Sequence, residues 1–315
     1  MEVAEVRRIA VSLLENIKKV IIGKDDVIEK LLIAFLASGH VLLEDMPGTG
    51  KTTLAKALAA SIDCTYARVQ FTPDLLPSDL TGVHYYSQKE EKFIFRKGPI
   101  FTNVLLADEI NRATPRTQSS LLECMEESQV TVDGVTFKLN APFFVIATQN
   151  PLETQGTYQL PEAQMDRFIM KLSVGYPGET AETEMLRRFE QDNPITHLEA
   201  VLSKEKLVEA QKAVRNVALS EDLQKYIVAL SEASRKHSEV RLGVSPRGSL
   251  VVMRAAQVKA AFDGRNFVTP DDVKMVVPPV FSHRILLKHG MSLKNSSGSV
   301  KIVEELLSSV PVPVE

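Results

Sequence analysis

The run "HVLLEDMPGTGKTTLAKALAASI" (40–62) constrains the fold of this chain more than any other stretch. "HVLLE" reads as a buried strand, and "KTTLAKALAASI" reads as a helix with Leu54, Ala57 and Leu58 on one face. A glycine-containing turn that runs from a strand into a helix N-terminus aims several backbone N–H groups and a positive dipole end at one spot. The expected anion-binding positions are therefore Pro47, Gly48, Thr49 and Gly50 in the turn, with Lys51, Thr52 and Thr53 opening the helix. Lys51 would reach the β- and γ-phosphates of a nucleotide, and the Thr52 hydroxyl would bind Mg²⁺. One position departs from the fingerprint G-x-x-x-x-G-K-[ST]: Asp45, preceded by Glu44, stands where the first glycine belongs. Residue 45 lies where the strand ends and the phosphate-binding N–H groups begin only at the turn. Its carboxylate is expected to point sideways, away from the anion, and to brace the loop.

Further apolar runs alternate with helical patterns: "TYARVQF" (65–71), "NVLLA" (103–107), "FFVIAT" (143–148) and "FIMKLSV" (168–174). Strands covered on both faces and joined by helices indicate a parallel α/β sheet. Two hairpins interrupt the pattern. "HYYSQKEEKFIFR" sets polar residues between aromatic arms, and "QVTVDGVTFKL" alternates around Asp133-Gly134. After "GYPGET" (175–180) strand signals stop, and helix starts follow at Ser203, Ser220, Ser245-Pro246 and Thr269-Pro270. A boundary near Pro177 divides an α/β domain, 1–177, from a helical domain, 178–315. "NSSGS" (295–299) reads as a flexible connector.

Two more strand ends carry chemistry. "NVLLADEINRA" delivers Asp108 and Glu109 to the carboxyl end of a buried strand, where ligands sit in open α/β sheets. Asp108 suits a metal-holding carboxylate and Glu109 a group that activates water. "FFVIATQNP" ends in Gln149 and Asn150, and the Asn150 amide would position that water beside the γ-phosphate.

The 315 residues carry 37 basic against 40 acidic side chains, so nucleic acid is not an expected partner. Cys64 and Cys124 are the only cysteines, which implies no disulfide framework and a reducing compartment. The amphipathic N-terminus lacks the apolar core of a signal peptide, and the longest apolar runs fall far short of the ~20 residues that span a bilayer. A cytoplasmic location with no membrane span is expected.

"LLADEINRATPRTQSSLLECMEESQVTVDG", "ATQNP" and "LPEAQMDRFIM" together resemble the MoxR family of AAA+ ATPases, in the clade with an insert in the second core helix. The resemblance covers nearly the whole chain. It implies an αβα core followed by an all-α lid, ATP and Mg²⁺ as cofactors, and a homo-oligomeric ring, hexameric in the first instance, with ATP between subunits. It also makes Asn150 the sensor 1 residue, Arg167 the arginine finger and Arg247 the sensor 2 residue, whose cis or trans action stays open. Val20 to Gly23, including Ile22 and Gly23, matches the segment that packs on adenine. Arg112 and Arg116 are expected to face the adjoining subunit. The aromatic hairpin corresponds to the helix 2 insert and the Asp133-Gly134 hairpin to the one before sensor 1, either as client-facing elements or as sheet extensions. The implied function is remodelling of a client protein complex, often one with a von Willebrand A-type domain or a metal cofactor. The competing reading is a nucleic-acid motor or a metal-chelatase motor subunit.

Overall fold

In the computed structural model, residues 1–151, 156–288 and 295–313 are described. Five parallel strands form the central sheet in the order Tyr66–Gln70, Val104–Asp108, Phe144–Gln149, Val41–Glu44 and Met170–Leu172. Successive side chains of a strand point to opposite faces, and the core divides accordingly. Val41, Leu43, Val104 and Leu106 join one buried cluster, whereas Leu42, Leu105 and Ala107 join the other. The first cluster lies under the helices Val3–Lys18, Asp25–Leu36 and Lys51–Ser61 and runs on into the lid without a break. The second is closed by the helix Pro115–Glu127. This is a P-loop αβα core followed by a helical lid.

The lid helices begin where the cap chemistry places them. Ser203, Ser220 and Ser245 accept from the backbone N–H of Lys206, Leu223 and Gly248, and Thr269 forms a capping box with Asp272. The lid also contains one short antiparallel ribbon, Val240–Leu242 with Leu286–Leu287. "NSSGS" is not a connector: it opens the helix Asn295–Ser309. Its composition is poor for a helix, but Ile302, Val303 and Leu306 are buried in the lid core, and packing overrides propensity.

Neither hairpin extends the central sheet. Gly82–Ser87 with Lys92–Lys97, and Gln129–Val132 with Val135–Lys138, are separate two-stranded sheets. They pack on each other, with the Phe95 and Phe137 rings stacked at 4.5 Å and His84 Nδ1 2.7 Å from Asp133 Oδ2. Tyr85, Tyr86 and Phe93 stay exposed.

Candidate nucleotide site

Gly48 (φ 82°) and Gly50 (φ 87°) take left-handed conformations in the turn after the strand Val41–Glu44. A Cβ at either position would meet nothing within 4 Å, so the need for glycine is one of backbone conformation and not of space. For other L-residues that conformation costs roughly 1–2 kcal/mol. Gly50 is the N-cap of the helix Lys51–Ser61, whose first turn carries Thr52 and Thr53, both half-buried. Lys51 Nζ donates to the carbonyls of Asp45 (2.9 Å) and Met46 (3.1 Å), and the Thr49 hydroxyl donates to Met46 O (3.2 Å). Burial lowers the Lys51 pKa, and the nearby carboxylates of Asp45, Asp108 and Glu109 oppose that shift. Loop lysine and strand-end acids thus share one electrostatic neighbourhood.

Asp45 is buried and faces the edge strand. Its Oδ1 accepts from Ser173 Oγ (2.9 Å) and Gly175 N (3.0 Å), and its Oδ2 accepts from Val174 N. The carboxylate therefore pins the loop to the segment that leaves the sheet for the lid. The neighbouring acid is matched too, with Lys171 Nζ donating to Glu44 Oε2 at 2.9 Å.

Asp108 is the last residue of its strand, in register with Gln70 on the adjacent edge strand. Both its oxygens are engaged. Thr148 Oγ1 donates to Oδ1 (2.6 Å), while Arg68 donates to Oδ2 through Nε (3.1 Å) and Nη2 (2.6 Å). Glu109 takes a left-handed backbone conformation, φ 56° and ψ 51°, an uncommon state for a residue with a Cβ and one that clusters at functional sites. Its N–H donates to Thr148 Oγ1 (2.8 Å), and its Oε2 accepts from Gln70 Nε2 (2.7 Å) and Arg112 Nη1 (3.0 Å). Arg112 thus pairs with Glu109 of its own chain while its side chain stays 40% exposed. Asn150 follows directly on the strand Phe144–Gln149, which pairs with the Asp108 strand on one side and the loop strand on the other. Thr148, Gln70 and Arg68 were not foreseen; a threonine inside the otherwise apolar "FFVIAT" was the available signal for the first.

Arg167 and Arg247 form a second group. Arg167 follows the short helix Glu162–Met165, and Arg247 lies in the first turn of the lid helix Pro246–Phe262. Both meet the Glu126 carboxylate, Arg167 through Nε (3.0 Å) and Arg247 through Nη1 (2.9 Å). No hydrogen bond or ion pair links either arginine side chain to the phosphate loop among the described residues. Beneath them Asp166 accepts from Arg284 Nε (2.6 Å) and Ser245 Oγ (3.0 Å), which locks core to lid. Ile22 and Gly23 lie elsewhere, against the start of the lid: a Cβ on Gly23 would fall 2.6 Å from that of Ala181, and Lys24 Nζ donates to Tyr176 O (2.6 Å).

A family model described as ATPase family associated with various cellular activities (AAA) matches residues 40–170, and one described as AAA lid domain matches 232–306. The chain is 50% identical over 301 residues to the Bacillus subtilis protein YeaC, covering 96% of this chain and 94% of that one. It is 39% identical over 319 residues to Chaperone MoxR1 of Mycobacterium tuberculosis, covering 98% and 84%. A crystal structure of a candidate ATPase from Cytophaga hutchinsonii superposes with a TM-score of 0.91 at 38% identity, covering 99% of this chain and 97% of that one. Strand order, loop geometry and full-length kinship agree, and the chain belongs to the MoxR family of AAA+ ATPases.

Proposed function

We propose that the protein hydrolyses ATP to ADP and phosphate with Mg²⁺ at sites completed between copies of itself, and couples the cycle to remodelling of a client protein complex. The observation that carries this reading is the division of the catalytic groups. Lys51, Asp108 and Glu109 share one electrostatic neighbourhood, whereas Arg167 and Arg247 pair with Glu126 instead. Phosphoryl transfer needs cationic groups on the developing charge, so a second copy supplies the arginines. A closed ring, a hexamer in the simplest case, satisfies every site at once. Arg247 then acts in trans alongside Arg167.

Within a site, the turn Pro47–Gly50 and the first turn of the following helix bind the phosphates. Lys51 holds the β- and γ-phosphates, and Ile22 and Gly23 lie against the base. The Thr52 hydroxyl and Asp108 suit Mg²⁺, which keeps several waters and takes one or two protein oxygens besides phosphate. When bound, the metal offsets the charge of the transferring phosphoryl group. Glu109 takes the proton of the attacking water, and Asn150 orients it. Reduced Cys64 and Cys124 accord with a cytoplasmic site of action, and among the described residues no helix is long and apolar enough to cross a membrane. The exposed aromatic hairpin is the client-facing element, and a von Willebrand A-type domain protein is the client class to test first. A nucleic-acid motor would show strong, salt-sensitive stimulation by DNA.

The decisive experiment is Glu109→Gln. The amide keeps the shape but cannot take a proton, so turnover is expected to fall by about 10²–10⁴-fold with ATP binding retained. Titration calorimetry and phosphate release measure both, and full turnover would remove Glu109 from its role. A second test concerns the metal acid. Arg68 competes for Asp108 Oδ2, and a half-exposed ion pair contributes roughly 0.2–1 kcal/mol. Arg68→Ala is therefore expected to lower the Mg²⁺ concentration for half-maximal hydrolysis by up to about fivefold. An unchanged or raised requirement would show that Arg68 does not guard this carboxylate.

A further inference from the structure

Glu126 belongs to no element of the hydrolysis site named so far, yet it is the point where the two separated arginines converge. It sits in the last turn of the helix Pro115–Glu127, where the helix dipole favours cations. Arg167 comes from the core and Arg247 from the lid, 80 residues later in the chain. Two guanidinium groups brought to one place repel each other, and a carboxylate between them removes that cost. The atoms used matter. Glu126 Oε2 is approached by Nε of Arg167, and Oε1 accepts from Nη1 of Arg247. Among the described residues no protein acceptor is placed on Nη1 or Nη2 of Arg167, or on Nη2 of Arg247. Both guanidinium groups thus keep N–H donors for a ligand while Arg167 is held at Nε and Arg247 at Nη1. Glu126 and both arginines are all partly exposed, as a surface that meets another copy requires. The joint nearby is partly buried: Asp166, next to Arg167, accepts from the buried Arg284 and from Ser245, the N-cap of the Arg247 helix.

We infer that Glu126 is a positioning residue that gathers Arg167 and Arg247 into one two-arginine clamp for the triphosphate held by a neighbouring copy of the chain. The inference rests on the ATP-hydrolysis reading given above. One carboxylate sets the spacing of the two cations and couples the lid to the core at the subunit boundary. Without it each long side chain regains its rotamer freedom, and small misplacements of catalytic groups cost up to about 10²-fold in rate.

The test compares Glu126→Ala, Glu126→Gln, Arg167→Ala and Arg247→Ala in the full-length assembled protein, with circular dichroism and sedimentation confirming fold and assembly. Glu126→Ala is expected to lower kcat by about tenfold to a hundredfold, with the ATP dissociation constant within about twofold of the unaltered protein. Glu126→Gln, which keeps an acceptor without the charge, falls between. Because Glu126 acts through the arginines, adding Glu126→Ala to Arg247→Ala costs less than Glu126→Ala alone. If Glu126→Ala assembles poorly, Glu126→Gln carries the same comparison. Full or raised turnover in both Glu126 variants beside slow arginine variants overturns the inference and leaves the hydrolysis reading standing; additive losses in the double variant also overturn it. If Arg167→Ala and Arg247→Ala both turn over at the unaltered rate, the intersubunit reading fails and the inference goes with it.

Discussion

Arg167→Ala is expected to reduce ATP turnover by about 10³–10⁵-fold while nucleotide still binds, the range that arginine fingers supply in other phosphoryl-transfer enzymes. The side chain is tied to Glu126 and not to its own phosphate loop, so its loss leaves the binding groups around Lys51 untouched. Its effect falls on the stage when charge develops on the phosphoryl oxygens. The direction of action is open to direct measurement by mixing. Lys51→Ala subunits have a defective loop and an intact arginine, and Arg167→Ala subunits have the reverse. In mixed rings some interfaces pair a sound loop with a sound arginine, so activity is expected to rise above that of either parent. Mixed rings, verified by mass, that stay as inactive as both parents would count against an arginine supplied in trans.

Arg284→Met is expected to cost about 3–5 kcal/mol of folding stability, because it strips a charged partner from a pair taken out of water. The Arg284 side chain is only 3% exposed and that of Asp166 21% exposed, which favours the lower half of that range. The guanidinium also donates to the carbonyls of Phe168 (2.6 Å) and Ile169 (3.3 Å) and to His283 Nε2 (2.7 Å). Methionine fills the space but supplies none of these donors. Urea denaturation monitored in the full chain reads the effect. The double variant Arg284→Met/Asp166→Leu is expected to recover part of the loss, since it leaves no unpaired charge behind. A loss below about 1 kcal/mol in the single variant would show that solvent reaches the pair and replaces the arginine.

The parts of this molecule legible in the sequence are those encoded by neighbours along the chain. The loop from Pro47 to Gly50, the strand ends at Asp108 and Asn150, and the serine and threonine caps of the lid each depend on a few consecutive residues. Thr148, Gln70 and Arg68 were not legible in the same way. Their roles follow from strand order and register, which set Gln70 opposite Asp108 and bring the Thr148 strand alongside. Glu126 was hidden for a related reason: its partners lie 41 and 121 positions further along, and only the packing of lid on core unites them. The misread "NSSGS" shows the opposite failure, a local composition overruled by the buried face three residues beyond it.

One consequence of the Asp45 carboxylate concerns timing. Three hydrogen bonds join the phosphate loop to residues 173–175, at the point where the chain departs for the lid. Lys24, beside the Ile22–Gly23 segment, holds the carbonyl of the next residue, Tyr176. The loop and the segment before Lys24 are therefore both tied to the same four-residue stretch, 173–176. A movement of the loop that keeps the three bonds must also turn that stretch. If the site binds and releases nucleotide as proposed, emptying it is expected to move the lid with it, and a load on the lid is expected to slow the departure of the product.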